Sequence, residues 1–257
     1  IFCLKTIVSM DDLRISTITA ILKISSDINL KKIYEEVPIT NNYIPFIEYG
    51  VDNNFKGFSI KSMKKKRKKK NKKTFYNQAT IHVIFNDKIM NVKLFNNGRI
   101  QITGLKGEEQ SIHLINDLIN YFKDLGIFAK DTHLIDNKIV LINSDFDMCF
   151  EINREKLHRD IIDSEIYSSY EPCIYPGVNI KYFINTNNNN SGICECMGPC
   201  NGKGDGCGDG KCKKVTVAVF KSGKIIITGG QNRSQIERSY RFIKKFIESN
   251  KENYVLK

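Results

Sequence analysis

Apolar and polar residues alternate from Leu13 to Ile24 and again from Lys138 to Phe150, the two-residue period of a strand with one buried face. A short amphipathic segment follows each, Asn29 to Glu36 and Arg154 to Ile161, and its spacing predicts a helix. Strand-like runs punctuated by turn residues come next. Asn96-Asn97-Gly98 and Ser222-Gly223 read as hairpin turns, and Phe75 to Val83 with the Asn86-Asp87 turn reads as a hairpin ending at Phe95. A longer amphipathic helix closes each half. Ile112, Ile115, Ile119 and Phe122 fall at helical spacing in the first, and Ile236, Tyr240, Ile243 and Ile247 do so in the second. Strands framed by helices in this order predict an α+β fold, with helices on one face of an antiparallel sheet.

The two halves also share residues, in the same order. Tyr43-Ile-Pro45 recurs as Tyr170-Glu-Pro172, and the stretch from Phe55 through Gly57 to Ile60-Lys61 recurs from Tyr175 through Gly177 to Ile180-Lys181. Phe95-Asn-Asn-Gly98-Arg99 with Thr103-Gly104 recurs as Phe220-Lys-Ser-Gly223-Lys224 with Thr228-Gly229. Offsets of 127, 120 and 125 residues fit a duplicated domain with small loop changes. The expected division is a leading strand or tail at 1–12, repeats at 13–130 and 131–250, and a tail at 251–257. Insertions fall at 62–74 and 185–213; both follow the repeated Ile-Lys, so they are expected to emerge at comparable places. Helices on one face leave the other face bare, and its outward side chains must meet something. A duplicated sheet curving under two helices predicts a saddle, and a DNA duplex suits its symmetric concave side.

Charge adds less than its total suggests. The net charge of +12 points toward nucleic acid, but Lys64 to Lys73 supplies nine positive charges and leaves +3 for the rest. That run is expected as a solvated loop, with nuclear targeting or phosphate contact as its sharper uses. No stretch approaches the roughly 18 apolar residues of a membrane span. The opening IFCLKTIVSM is short, carries Lys5 and lacks a small-residue cleavage site, so a signal peptide is not expected. His82, His113, His133 and His158 lie apart without metal-ligand spacing, and neither a phosphate-binding glycine loop nor a nucleophile elbow is present. Glu108-Glu109 reads as an acidic pair at a helix N-terminus. An enzyme is not expected.

Ser168-Ser169-Tyr170-Glu171-Pro172, Tyr175-Pro176-Gly177 and the paired F-x-x-G-[KR]-x-x-x-T-G blocks resemble the TATA-box-binding protein family, in order and at about its spacing. The resemblance runs from about Leu13 to Asn250 apart from the insertions, and the composition is similar to the versions carried by giant DNA viruses. It implies a saddle of two pseudo-symmetric repeats with helices on the convex face. It further implies aromatic wedges that unstack base steps and kink the duplex from its minor groove. Phe220 and Tyr175 match the wedge positions of the second half, and Phe95 and Phe55 those of the first, with Phe75 as the alternative to Phe55. Thr17, Thr19, Gln101 and Thr103 match the groove-reading floor of the first half, and Leu141, Asn143, Ile226 and Thr228 that of the second. Arg99 and Lys224 match phosphate-holding positions. Glu171 matches an acidic docking position for transcription factor IIB, beside which Cys173 replaces a second acidic residue.

Five of the eight cysteines crowd into Cys194, Cys196, Cys200, Cys207 and Cys212, in an insertion with almost no apolar residue to bury. Four thiolates around Zn²⁺ would organise it, leaving one cysteine spare; disulfides or free thiols are the alternative. The reading of the whole is a DNA-bending transcription initiation factor for A/T-rich promoters. The alternative is a duplicated interaction module that recruits transcription machinery without bending DNA. Expected partners are double-stranded DNA and a transcription factor IIB-like or virus-specific protein, and the expected state is a monomer or weak dimer without membrane contact. The expected place is the nucleus or cytoplasmic viral factory of an infected cell, or the virion.

Overall fold

The computed structural model describes residues 12–50, 54–58, 76–186 and 191–256. The Lys64–Lys73 run, Phe75, Cys3 and most of the expected N-terminal tail lie outside them. The chain divides into two compact units. One is Thr17–Val140; the other begins at Leu141 and takes in the segment up to Ser16.

In the first unit the elements are β1 (Arg14–Ile24, from Thr17), α1 (Leu30–Glu36), β2 (Phe46–Tyr49), β3 (Asn54–Gly57), β4 (Gln78–Phe85), β5 (Lys88–Phe95), β6 (Arg99–Leu105) and α2 (Gln110–Asp124). The strands run β3-β2-β4-β5-β6-β1, each antiparallel to its neighbour. Asn29 starts α1 because its side chain accepts the Lys32 N–H at 3.0 Å, satisfying a donor the helix leaves free. Asn86 and Asp87 close the β4–β5 hairpin at φ +49° and +58°, the left-handed pair that a two-residue turn demands. Ala79, Ile81, Met90, Val92, Leu94, Ile100 and Ile102 form one buried sheet face, and α2 brings Leu114, Ile115, Leu118, Ile119 and Phe122 into the same core. Each of the larger side chains contributes about 1.5–3 kcal/mol by leaving water. Ile112 departs from the expected stripe: it is exposed in the first turn of α2, and Leu114 and Leu118 are buried in the core instead.

The second unit contains β7 (Leu134–Asp147, from Leu141), α3 (Arg154–Asp163), β8 (Tyr167–Ser169), β9 (Val178–Ile184), β10 (Lys213–Val219), β11 (Lys224–Gly230), α4 (Arg233–Ser249) and α5 (Lys251–Tyr254). Its order is β7-β11-β10-β9-β8, again antiparallel. Asn153 and Asn232 cap α3 and α4 as Asn29 caps α1, accepting from Lys156 N and Gln235 N. Ile236, Tyr240, Ile243 and Ile247 are wholly buried, as their spacing predicts. Tyr240 meets Phe146 of β7 edge-on at 4.8 Å, and Phe242 stacks on Tyr182 of β9 at 4.7 Å. The long helix thus covers one face of the sheet.

Strand for strand, β1, β6, β5, β4 and β2 recur as β7, β11, β10, β9 and β8, and the register corrects the residue matching read from sequence. Ala79 faces Leu94 as Val178 faces Val219, and Ile47 faces Ile81 as Ser168 faces Ile180. Tyr49, not Tyr43, is therefore the counterpart of Tyr170, and Tyr76, not Phe55, stands where Tyr175 stands. Phe55 belongs to β3, an extra edge strand of the first unit, where it stacks against Phe46 at 6.1 Å. The insertions do not correspond either. The first falls between β2 and β4, whereas the cysteine-rich one joins β9 to β10, the hairpin that Asn86-Asp87 closes in the first unit.

Candidate nucleic-acid interface

Opposite the helix-covered face, each sheet presents side chains that are mostly exposed or half-buried. In the first unit Thr19 and Thr103 are register partners, and their hydroxyls lie 3.3 Å apart. In the second, Asn143 and Thr228 occupy the corresponding pair, and the Thr228 hydroxyl donates to the Asn143 side-chain oxygen. Two hydrogen bonds on the open faces thus join four of the residues that the sequence singled out. Ile21 pairs with Gln101 and Asp145 with Ile226, one step along each sheet. Thr17 and Leu141 are half-buried where the chain passes from one unit to the other.

Beyond these pairs stand the aromatics. Phe95 ends β5 and Phe220 directly follows β10, and each enters a tight turn whose glycine N–H returns to its carbonyl, Gly98 at 3.0 Å and Gly223 at 3.1 Å. Both glycines adopt positive φ, and a Cβ on either would lie under 2.5 Å from a backbone oxygen, Ser26 O or Phe150 O, so only glycine closes these turns. Both phenylalanines are half-buried rather than core. Tyr175, 40% exposed, meets Phe220 edge-on at 5.7 Å above Gly177, and its register counterpart in the first unit, Tyr76, is 73% exposed. Arg99 and Lys224 follow the two turns and are exposed. Glu171 is exposed after β8, where its carbonyl accepts the N–H groups of Ile174 and Tyr175.

Sequence reasoning missed an ion pair on the open face of the second unit. Arg14 donates two bonds to the Asp145 carboxylate, 3.1 and 2.8 Å, and the Ser16 hydroxyl donates to the same group. Burial pushes the Asp145 carboxyl up, but the bonds from Ser16 and Arg14 and the charges of Arg14 and Lys224 outweigh it and hold the group below its ordinary range. The first unit carries Lys138, Val140 and Ile21 at these three stations. There Ile21, Lys23, Arg99, Asp136, Lys138 and Val140 line a shallow hollow, and among the described residues no carboxylate lies within 4.0 Å of Lys23, Arg99 or Lys138. Partners 131 residues apart leave no local signal, although a charged residue in an otherwise alternating strand marked the spot.

Of the five clustered cysteines, the fold brings together Cys194, Cys196, Cys200 and Cys212, whose sulfurs all lie within 4.8 Å of one another. Cys207 is exposed outside this group. Four neighbouring thiols are compatible with zinc binding.

Known proteins share both the sequence pattern and the fold. Residues 136–249 match the family described as transcription factor TFIID (or TATA-binding protein, TBP). The chain is 29% identical to a TATA-box-binding protein-like protein of Acanthamoeba polyphaga mimivirus, over 95% of its own length and 67% of that protein. It is 27% identical to TATA box-binding protein-like 2 of Danio rerio and 24% identical to the TATA-box-binding protein of Xenopus tropicalis. Those matches take in 57% and 79% of the chain but 36% and 55% of the relatives. The solved Methanococcus jannaschii TBP shares the fold, with a TM-score of 0.53 at 19% identity, covering 94% of this chain and 99% of that one. The chain is thus similar to TATA-box-binding proteins over most of its length, and its second repeat carries the match to that family's domain.

Proposed function

We propose that this protein is a transcription initiation factor that binds A/T-rich duplex in the minor groove through its two open sheet faces and bends it. The carrying observation is the matched array on the two faces: a hydroxyl-bearing pair, then a half-buried phenylalanine, a glycine turn and a cation, at equivalent register in each unit. Short hydroxyl and amide side chains suit a groove floor whose A·T edges offer only acceptors and no guanine amino group. Phe95 and Phe220, paired with Tyr76 and Tyr175, are the wedges; each wedged step costs a few kcal/mol of stacking, offset by the contact that bending permits. Gln101 and Ile226 flank the floor, and Thr17 and Leu141 continue it. Arg99 and Lys224 hold phosphates beside the wedges and set register rather than sequence. Exposed Glu171 offers a docking point for a transcription factor IIB-like or virus-specific protein, and the mimivirus relative supports a viral setting, in the nucleus or cytoplasmic factory of an infected cell.

A fluorescence-monitored bend on duplexes with and without an A/T core tests this reading. Phe95→Ala and Phe220→Ala are each expected to lower the bend and weaken A/T-core binding about tenfold or more, roughly 1.4 kcal/mol, with unfolding midpoints little changed. Full bending by the double variant would overturn the wedge role, and a bound but unbent duplex with the unaltered protein would instead favour a recruiting module that leaves DNA straight.

A further inference from the structure

We infer that Cys194, Cys196, Cys200 and Cys212 form a tetrathiolate zinc site that organises the β9–β10 insertion, with Cys207 outside it. Between Ile184 and Lys213 almost every residue is Gly, Asn, Asp, Ser, Lys or Cys, so no apolar core of its own holds this loop. Yet its thiols converge. The sulfurs of Cys196 and Cys212 are 3.3 Å apart, those of Cys194 and Cys212 are 3.7 Å apart, and all four fall within 4.8 Å. Zn–S bonds of ~2.3 Å set the edge of a ZnS₄ tetrahedron at ~3.8 Å, so the four sulfurs already surround one centre at nearly the required spacing. Two disulfides would satisfy the same atoms pair by pair and would not require all four to meet. An all-thiol donor set selects zinc over the oxygen-seeking divalent cations.

Groups around the sulfurs fit the same assignment. Gly210 donates its N–H to Cys196 Sγ at 3.1 Å, and Asn185 donates from Nδ2 to Cys212 Sγ at 3.3 Å and to Gly208 O at 2.7 Å. Such donors disperse thiolate charge and fix ligand orientation. Cys207 has a different environment: its N–H is held by the Asp205 carboxylate at 3.0 Å, and its residue is exposed.

The site also has a mechanical role. Cys212 directly precedes β10, whereas Cys194, Cys196 and Cys200 lie on the far arm of the loop, so a shared metal ties the arm to the sheet. Contacts on either side complete the docking: Thr186 N to Gly206 O and Lys214 N to Gly202 O, both 2.8 Å, and Gln235 of α4 to Asp205 O at 3.1 Å.

Metal analysis of the full chain purified under reducing conditions tests the site directly, and about one zinc per chain is expected. Replacement by Co²⁺ should give the intense visible bands of tetrahedral thiolate cobalt. Cys207→Ser should keep the metal and those bands, and Cys200→Ser should lose them. Chelation should speed amide exchange across 191–212 while β9 to β11 stay protected. Because Cys200→Ser can disturb the loop by itself, the cobalt spectrum of the unaltered chain stands as an independent reading. Absence of metal with a six-coordinate cobalt spectrum, iron in place of zinc, or loss of metal in Cys207→Ser would each overturn the assignment.

Discussion

The open faces of the two units share a backbone frame and differ in charge. At equivalent stations the first unit carries Ile21, Lys23, Lys138 and Val140, and the second carries Asp145, Asp147, Arg14 and Ser16. In the first, Lys23, Arg99 and Lys138 stand with no carboxylate close enough to pair among the described residues. In the second, Arg14 is neutralised by Asp145, and Lys224 lies opposite Asp147 in register. Duplication preserved what the strands require, namely the hydrogen-bonded Thr19–Thr103 and Asn143–Thr228 pairs and the glycine turns. It did not preserve the electrostatics, which depend on side chains the sheet does not need. A duplex meeting both faces would be attracted by one half and mainly shaped by the other.

The most severe test of that contrast removes cations from each face. Lys23→Ala with Arg99→Ala is expected to weaken binding about tenfold at low salt and to flatten the log-log salt slope by about 1.8, roughly 0.9 for each phosphate no longer neutralised. Lys224→Ala, whose charge faces Asp147, should change the slope by well under about 0.9. Equal effects per residue on the two faces would end the claim of asymmetry.

A smaller effect is expected from Asp145→Asn, which keeps the side-chain shape and frees the charge of Arg14. Affinity for all duplexes should rise about two- to threefold at low salt, with the slope steeper by up to about 0.9. The stability loss should be modest, under about 1 kcal/mol, because the Arg14 side chain is 69% exposed and solvent screens the pair. Acid should mimic the substitution. The Asp145 carboxyl is held below its ordinary value, so its stabilising contribution is complete above pH ~4 and fades as pH falls through the depressed value. An unchanged slope in Asp145→Asn would put Arg14 off the duplex path.

Much of this was legible in the sequence, and the exceptions have physical causes. The helix stripes, the asparagine caps and the Asn86-Asp87 hairpin are local signals, and the Phe–Gly–cation turns recur because only glycine fits there. The match of Phe55 to Tyr175 went astray because β3, an added edge strand, carries an aromatic–glycine pair that imitates the true position; pairing between β4 and β5 is what assigns Tyr76. The Arg14–Asp145 pair was invisible because it joins strands that sequence alone does not bring together. The choice of Cys194, Cys196, Cys200 and Cys212 over Cys207 likewise needed the path of the loop.

The two equivalent hairpins also differ in how far apart their arms begin. Asn86 and Asp87 alone separate β4 from β5, whereas the whole cysteine-rich segment separates β9 from β10. Closing a loop about fourteen times longer costs roughly 2 kcal/mol more chain entropy, at ~0.6 kcal/mol per doubling. Two copies of one sheet therefore start from unequal odds. The first can zip from its turn on the microsecond scale of a simple hairpin, while the second must wait for its distant arms to find each other. Pulsed amide exchange during refolding should see Ile81 and Val92 protected before Ile180 and Val217, and the reverse order would mean that the long loop forms first and guides its own strands together.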